Sequence, residues 1–320
     1  MKKLLAAAAV VMLVPIGAWW LHSLRRQLRH SAERAVEPQA MMIDEDAPRE
    51  IVPTVSLQVN EDLASTVPAG TPVWFTVAVN NAAALNELSA AGALATRLAH
   101  VAPDAPDRRR LQSDYDHRSR PAAITLGDAA HPWTDAVQLL TRDAQGGERA
   151  LGIPVRRLGP APATQVLDAY TSARANFGAA ELDAASGAYS IVACLGQTGS
   201  WRGRTCSEPV RLTVQERPAH LPADRQSLAD HRAGRLALLA GDVTGLEQAA
   251  RRLLAADPAD VEGHMYLGES HFLQNRREEA LAQFTAARAT FRRNHPNAAE
   301  PPRFLDARIG QLIGQPDPAP

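Results

Sequence analysis

The residues most suggestive of chemistry lie in GHMYLGESHFLQNRREEALAQF, residues 263–284, where His264 and His271 are seven apart with Glu269 between them. Two imidazoles and a carboxylate are the parts of a zinc site or of an acid–base pair. The spacing argues against both. Seven residues of helix return a side chain to the same face but carry it about 10.5 Å along the axis. One ion with nitrogen ligands near 2 Å cannot reach both rings. A helical zinc pair needs histidines at i and i+4 with a third ligand, and neither histidine has such a mate. Both rings are read as packing.

Other reactive sets are thinner. Asp114, Asp116 and His117 cluster in PDAPDRRRLQSDYDHRSRP, residues 103–121. That stretch lacks the bend glycine and distal glutamate of a calcium loop, and reads as a solvated loop, with a partner contact as the lesser reading. Ser200 stands between Gly199 and Trp201, but Thr198 and Arg202 fill the glycine places of a nucleophile elbow. There is no Walker loop, GxGxxG, HExxH or CxxC. No catalytic residue, metal site or cofactor is assigned, and the expectation is a protein that is not an enzyme.

The two cysteines, Cys194 and Cys206, lie in the strand-like runs GAYSIVACL and RTCSEPVRLTV, joined by the turn-rich GQTGSWRG. Cysteines facing across such a hairpin can close a disulfide if their Cα atoms come within reach. Disulfides belong to oxidising compartments. Trp201 at the hairpin tip either anchors a partner, as exposed tryptophans do at hot spots, or folds back over the disulfide.

A net charge of −1 gives no basic surplus for nucleic acid. Aromatic content of 5% disfavours stacking platforms for bases or sugars. The only lysines, Lys2 and Lys3, precede LLAAAAVVMLVPIGAWWL. A charged start followed by an apolar run over residues 4–21 makes residues 1–24 a signal anchor or signal peptide. The run is near the lower length limit for spanning a bilayer. Trp19 and Trp20, followed by Arg25, Arg26 and Arg29, resemble an interfacial belt and a charged stop, which favours a single-pass anchor in the bacterial inner membrane. Small residues ending at Ala18 offer cleavage and a secreted or periplasmic product instead. The flanking arginines favour a cytoplasmic body and the cysteines a periplasmic one; the periplasm-facing orientation is the reading taken.

These features must be positioned by a scaffold. Residues 25–50 are polar and aperiodic and read as a flexible tether. From residue 51 the pattern alternates: in TPVWFTVAV, Val73, Phe75, Val77 and Val79 share one face. TVSLQV, AAITL, AVQLLTR, GIPVRRL, TQVLDAY, GAYSIVACL and PVRLTV bring the total to about eight short strands, which indicates an antiparallel β-sandwich. Residues 51–216 resemble immunoglobulin-like β-sandwich modules, the Gly-x-Tyr of SGAYSIVACL carrying the local likeness. Leu85, Leu88, Leu94 and Leu98 suit a helical insertion at residues 81–100. ERPAHLP ends the strands, residues 217–222 are a linker, residues 223–314 are helical, and residues 315–320 are a disordered tail. The fold class expected is α+β and multidomain.

The helical part resembles the tetratricopeptide-repeat family. Its 34-residue pattern runs W-x2-L-G-x2-Y, then A-x3-F, then P. Leu267, Gly268, Ala280 and Phe284 match it, with His264 in the Trp place and His271 in the Tyr place. One period upstream Gly234 and Pro258 fit, while Leu246 and Ala250 reverse the small-then-large order of the second helix. Two units are fewer than the three or so that a free array needs, so Phe304, Leu305, Ile309 and Leu312 are expected to cap the stack. The resemblance implies a core role for both histidines. It also implies a concave groove lined by Met265, Glu269, Phe272 and Leu273 from the second unit and His231, Arg235 and Leu238 from the first. The function expected is a non-enzymatic interaction or scaffold protein of the bacterial cell envelope, anchored through residues 4–21 and docking a protein partner, with no nucleic acid. The alternative is a ligand- or glycan-binding sandwich with structural helices.

Overall fold

The computed structural model describes residues 52–297 and 300–314. The apolar run, the tether and the tail named above lie outside the described residues. Among the described residues no helix is long and apolar enough to cross a membrane. The fold is mixed α and β, and its strands and helices pack as one compact unit.

The strands are β1 (Thr54–Val59), β2 (Ala64–Pro68), β3 (Val73–Asn80), β4 (Ile124–Leu126), β5 (Val137–Arg142), β6 (Glu148–Ala150), β7 (Arg156–Leu158), β8 (Gln165–Leu167), β9 (Ser172–Ala179), β10 (Gly187–Leu195), β11 (Thr205–Cys206) and β12 (Val210–Gln215). One sheet runs β1-β3-β9-β7 and a second β2-β12-β10-β5-β6, with β11 beside β10; β4 and β8 form a small pair. Inward residues of both main sheets, among them Val55, Val77, Ala175, Ile191 and Leu212, build one core. Alternation in β3 works as expected, with Val73, Phe75, Val77 and Val79 all buried.

Among the described residues all strand pairings are antiparallel but one. β2 runs parallel to β12, because the chain leaves β1 in one sheet and crosses directly to the other. The crossing turn holds Asn60 at φ 50° and Glu61 at φ 71°, left-handed positions that are uncommon for residues other than glycine. Asn60 fixes it: its Oδ1 accepts from the Trp74 amide at 3.0 Å and its Nδ2 donates to Ser65 Oγ at 3.0 Å.

Between β3 and β4 the chain forms a hairpin of helices α1 (Ala82–His100) and α2 (Arg108–Arg118). The second replaces the solvated loop read at residues 103–121. One buried leucine, Leu111, and the Arg118–Glu87 ion pair at 2.9 Å hold its highly charged turns against α1.

The C-terminal helices are α3 (Ala223–Ala240), α4 (Val243–Ala256), α5 (Val261–Leu273), α6 (Arg277–Asn294) and α7 (Arg303–Gly314). Gly241 ends α3 at φ 66°, and Asp242 and Asp260 cap α4 and α5 through the amides of Gly245 and Gly263. Leu305, Ile309 and Leu312 of α7 cover Ala280, Phe284 and Ala287 of α6, whereas Phe304 is largely exposed.

Alternation in β3 points Trp74 away from the sheet core, yet it is only 4% exposed. Leu236 of α3 and Leu158 of β7 bury it, with Leu239 and Ala240 alongside. The helical stack is thus seated on the outer face of the four-stranded sheet.

Candidate partner-binding face

Gly234 and Gly268 occupy matching places on α3 and α5, and each accepts an aromatic ring. A Cβ on Gly268 would lie 2.9 Å from the Phe284 ring, and one on Gly234 would overlap the Tyr266 ring more severely. Tyr266 is central to the cluster of Ala237, Leu246, Ala250 and Leu253. Its hydroxyl donates to the His231 carbonyl at 3.2 Å, and burial pushes its ionisation well above the usual range. Ala250, small where the repeat pattern expects a large residue, thus shares its cluster with a ring supplied by the next hairpin.

Ion pairs bridge successive elements beside these contacts. Arg235 of α3 meets Glu61 of the crossing turn at 2.5 Å. His231 lies 3.2 Å from Asp260 and 2.6 Å from Glu262. The shorter contact is poorly aligned for a hydrogen bond and acts as a charge contact, since His231 Nδ1 has no hydrogen-bond partner. The Asp260 carboxylate first, and then Glu262, raise the imidazole from 6.5 to about 10. Burial pushes Asp260 up, but His231 and the Gly263 amide outweigh it and leave the carboxyl below its ordinary value. Arg308 of α7 holds Glu269 at 2.7 Å and lies 4.5 Å over the Phe272 ring.

The seven groove residues therefore have different environments. Glu269 is buried beneath Arg308; Phe272, Met265 and Leu238 are partly buried against the helical clusters. Arg235 and His231 are engaged with Glu61, Asp260 and Glu262. Leu273 alone of the seven is largely open, 48% exposed. Glu61, Asp260, Tyr266 and Arg308 were not singled out in the sequence. Tyr266 lies off the repeat-pattern positions, and its only signal was Gly234, the small residue that its ring covers.

His264 and His271 stand in different environments. His264 Nδ1 is 2.9 Å from Gln283 Oε1 and Nε2 is 3.1 Å from the Pro258 carbonyl. His271 is buried, and burial first, then Arg276, lower its basicity.

Cys194 and Cys206 are directly opposed on β10 and β11 and form a disulfide, with Cα atoms 4.0 Å apart. Arg204 lies 3.2 Å from Cys194 Sγ and pairs with Glu148. Glu148 and the two sulfurs are close enough together to suggest a metal site, but disulfide sulfurs are not thiolate ligands. Trp201 turns inward and packs in the sheet core. Ser200 Oγ is tied to the Thr125 backbone at 2.9 and 3.2 Å, a structural clasp. Asp114, Asp116 and His117 are exposed on α2.

No protein-family model matches the chain, and no curated protein shows a significant sequence match to it.

Proposed function

We propose that the protein is a non-enzymatic scaffold of the bacterial cell envelope that docks a protein partner on tetratricopeptide-like helical hairpins. In this reading residues 4–21 anchor or export it, and an immunoglobulin-like sandwich holds the hairpins. The observation that carries the proposal is the glycine pair. Gly234 and Gly268 lie one 34-residue period apart, and each receives a ring from a following helix. The disulfide is consistent with an oxidising compartment.

A glycan-binding sandwich would want aromatic rings open at the loop ends. Trp74, Trp133 and Trp201 are instead buried, and among the described residues of the sandwich Tyr170, in the β8–β9 turn, is the one largely exposed ring; a lone ring is not a stacking platform, which favours the docking reading.

The test is site-specific photo-crosslinking in cells with the full-length chain. A crosslinker at Leu273 or Met265 should give a discrete protein adduct, and one at exposed Arg149 on β6 should not. Equal or absent adducts at all three positions would defeat the proposal.

A further inference from the structure

The face of α3 that docks on the sheet through Leu236 and Leu239 continues toward the helix start as Arg225, Leu228, Ala229 and Arg232. There it does not close on the sheet. It leaves a cleft of about 200 Å³ against Thr66, Pro68 and Thr71 of the β2 region and Gln215 of β12. Leu228 in the cleft wall is 50% exposed.

Its chemistry is one-signed. Arg225 and Arg232 are seven residues apart on one helix face, about 10.5 Å along the axis. Neither has a carboxylate at ion-pair distance among the described residues. Arg225 makes no side-chain hydrogen bond among them, and Arg232 makes only a long one, 3.4 Å to the Thr66 carbonyl. Asp62 is the acid that acts on Arg232 through space, without forming an ion pair with it among the described residues; burial, then Glu61, raise its carboxyl. The Arg217 guanidinium packs over Gly70, next to Thr71. Between the two helix arginines the wall is apolar, formed by Leu228, Ala229 and Pro68.

Planar guanidiniums with unused donors favour carboxylates or phosphates held by two bonds. The volume falls below the roughly 300–1,000 Å³ of drug-sized pockets, so a compact organic ligand is disfavoured. An extended chain advances about 3.3 Å per residue, so two carboxylates a few residues apart can reach both arginines while an apolar side chain between them meets Leu228. We propose that this cleft binds a short, extended acidic segment of a protein partner, an aliphatic residue flanked by carboxylates. This is a second site, lined by residues other than His231, Arg235 and the rest of the groove set, and it does not depend on the groove reading.

The test uses the full-length chain and the fluorescein-labelled peptide Glu-Glu-Leu-Glu-Glu, followed by anisotropy. Arg225→Glu is the main variant because Arg225 is exposed and its change is tolerable to the fold; Arg232→Gln is the second, and Arg149→Glu controls for general charge. Each cleft variant should weaken binding at least tenfold, Arg149→Glu should not, and Gln-Gln-Leu-Gln-Gln should fail to bind. Undiminished binding to Arg225→Glu or by the glutamine peptide overturns the proposal. So does equal binding by Glu-Glu-Ser-Glu-Glu together with displacement by millimolar inorganic phosphate, which would mark a bare-anion site.

Discussion

Arg308 closes over Glu269: its Nε and Nη2 stand 2.7 and 3.1 Å from the two oxygens of a residue that is 3% exposed. The pair joins α7 to α5 and fixes how the last helix covers the stack. Removing one partner strands a buried charge, which is far more costly than removing both. Arg308→Ala should destabilise the protein by about 3 kcal/mol, whereas Glu269→Leu with Arg308→Met should recover most of that. Equal losses in urea unfolding for the single and double variants would contradict the pairing.

His231 sets a pH dependence. Its value rises from 6.5 to about 10 on folding, so its stabilisation is complete below pH 6.5 and is lost as pH climbs toward 10. Between pH 6 and 9.5 the native protein should lose on the order of 2 kcal/mol more stability than His231→Gln. Parallel unfolding curves at both pH values would refute the raised value.

The glycine contacts should rank. Ala gains about 1 kcal/mol over Gly in helix propensity, while overpacking costs about 1–3 kcal/mol. Gly268→Ala, at 2.9 Å from a ring edge, should be close to neutral. Gly234→Ala, driven into the Tyr266 ring, should lower stability by about 2 kcal/mol. The reverse order in thermal melts would mean that the helices pair differently.

Trp74 tests the seating of the helices on the sheet. Calorimetry of the native chain should show one transition, and Trp74→Ala should cost about 3–5 kcal/mol and split it in two. A single unshifted transition in the variant would rule out the Trp74–Leu236 contact as the coupling.

The disulfide closes a short loop, 12 residues in separation, worth about 3 kcal/mol. Denatured, unreduced protein from its native compartment should show no free thiol, and Cys194→Ala with Cys206→Ala should melt lower. Two titratable thiols would overturn both the bond and the periplasmic reading.

What was legible in the sequence follows from where apolar area is concentrated. β3 and β10 carry strong apolar runs and read correctly as strands, and the cysteine pairing followed from the hairpin. β9, a central strand, was missed because Ala173 and Ala175 fill its inner face, and alanine gives little period-2 contrast. α2 was missed because its charged turns hide a single anchor, Leu111. Alternation alone points Trp74 outward, and no local pattern says that a helix some 160 residues later will cover it. The groove residues were legible as a helix face but not in their pairing, since Glu61 and Arg308 arrive from elements distant in the chain.

The seat on Trp74 also orders assembly in time. Trp74 and Leu158 leave the ribosome well before Leu236. At about 5–20 residues per second the intervening 80 or so residues take roughly 4–16 s. Once β9 has emerged to join β3 to β7, the sheet carries an uncovered indole patch for the rest of that interval, and α3 reaches a template already waiting for it. The nascent chain is therefore most open to misassociation in that window, and a holdase that shields the patch would be needed only until α3 arrives.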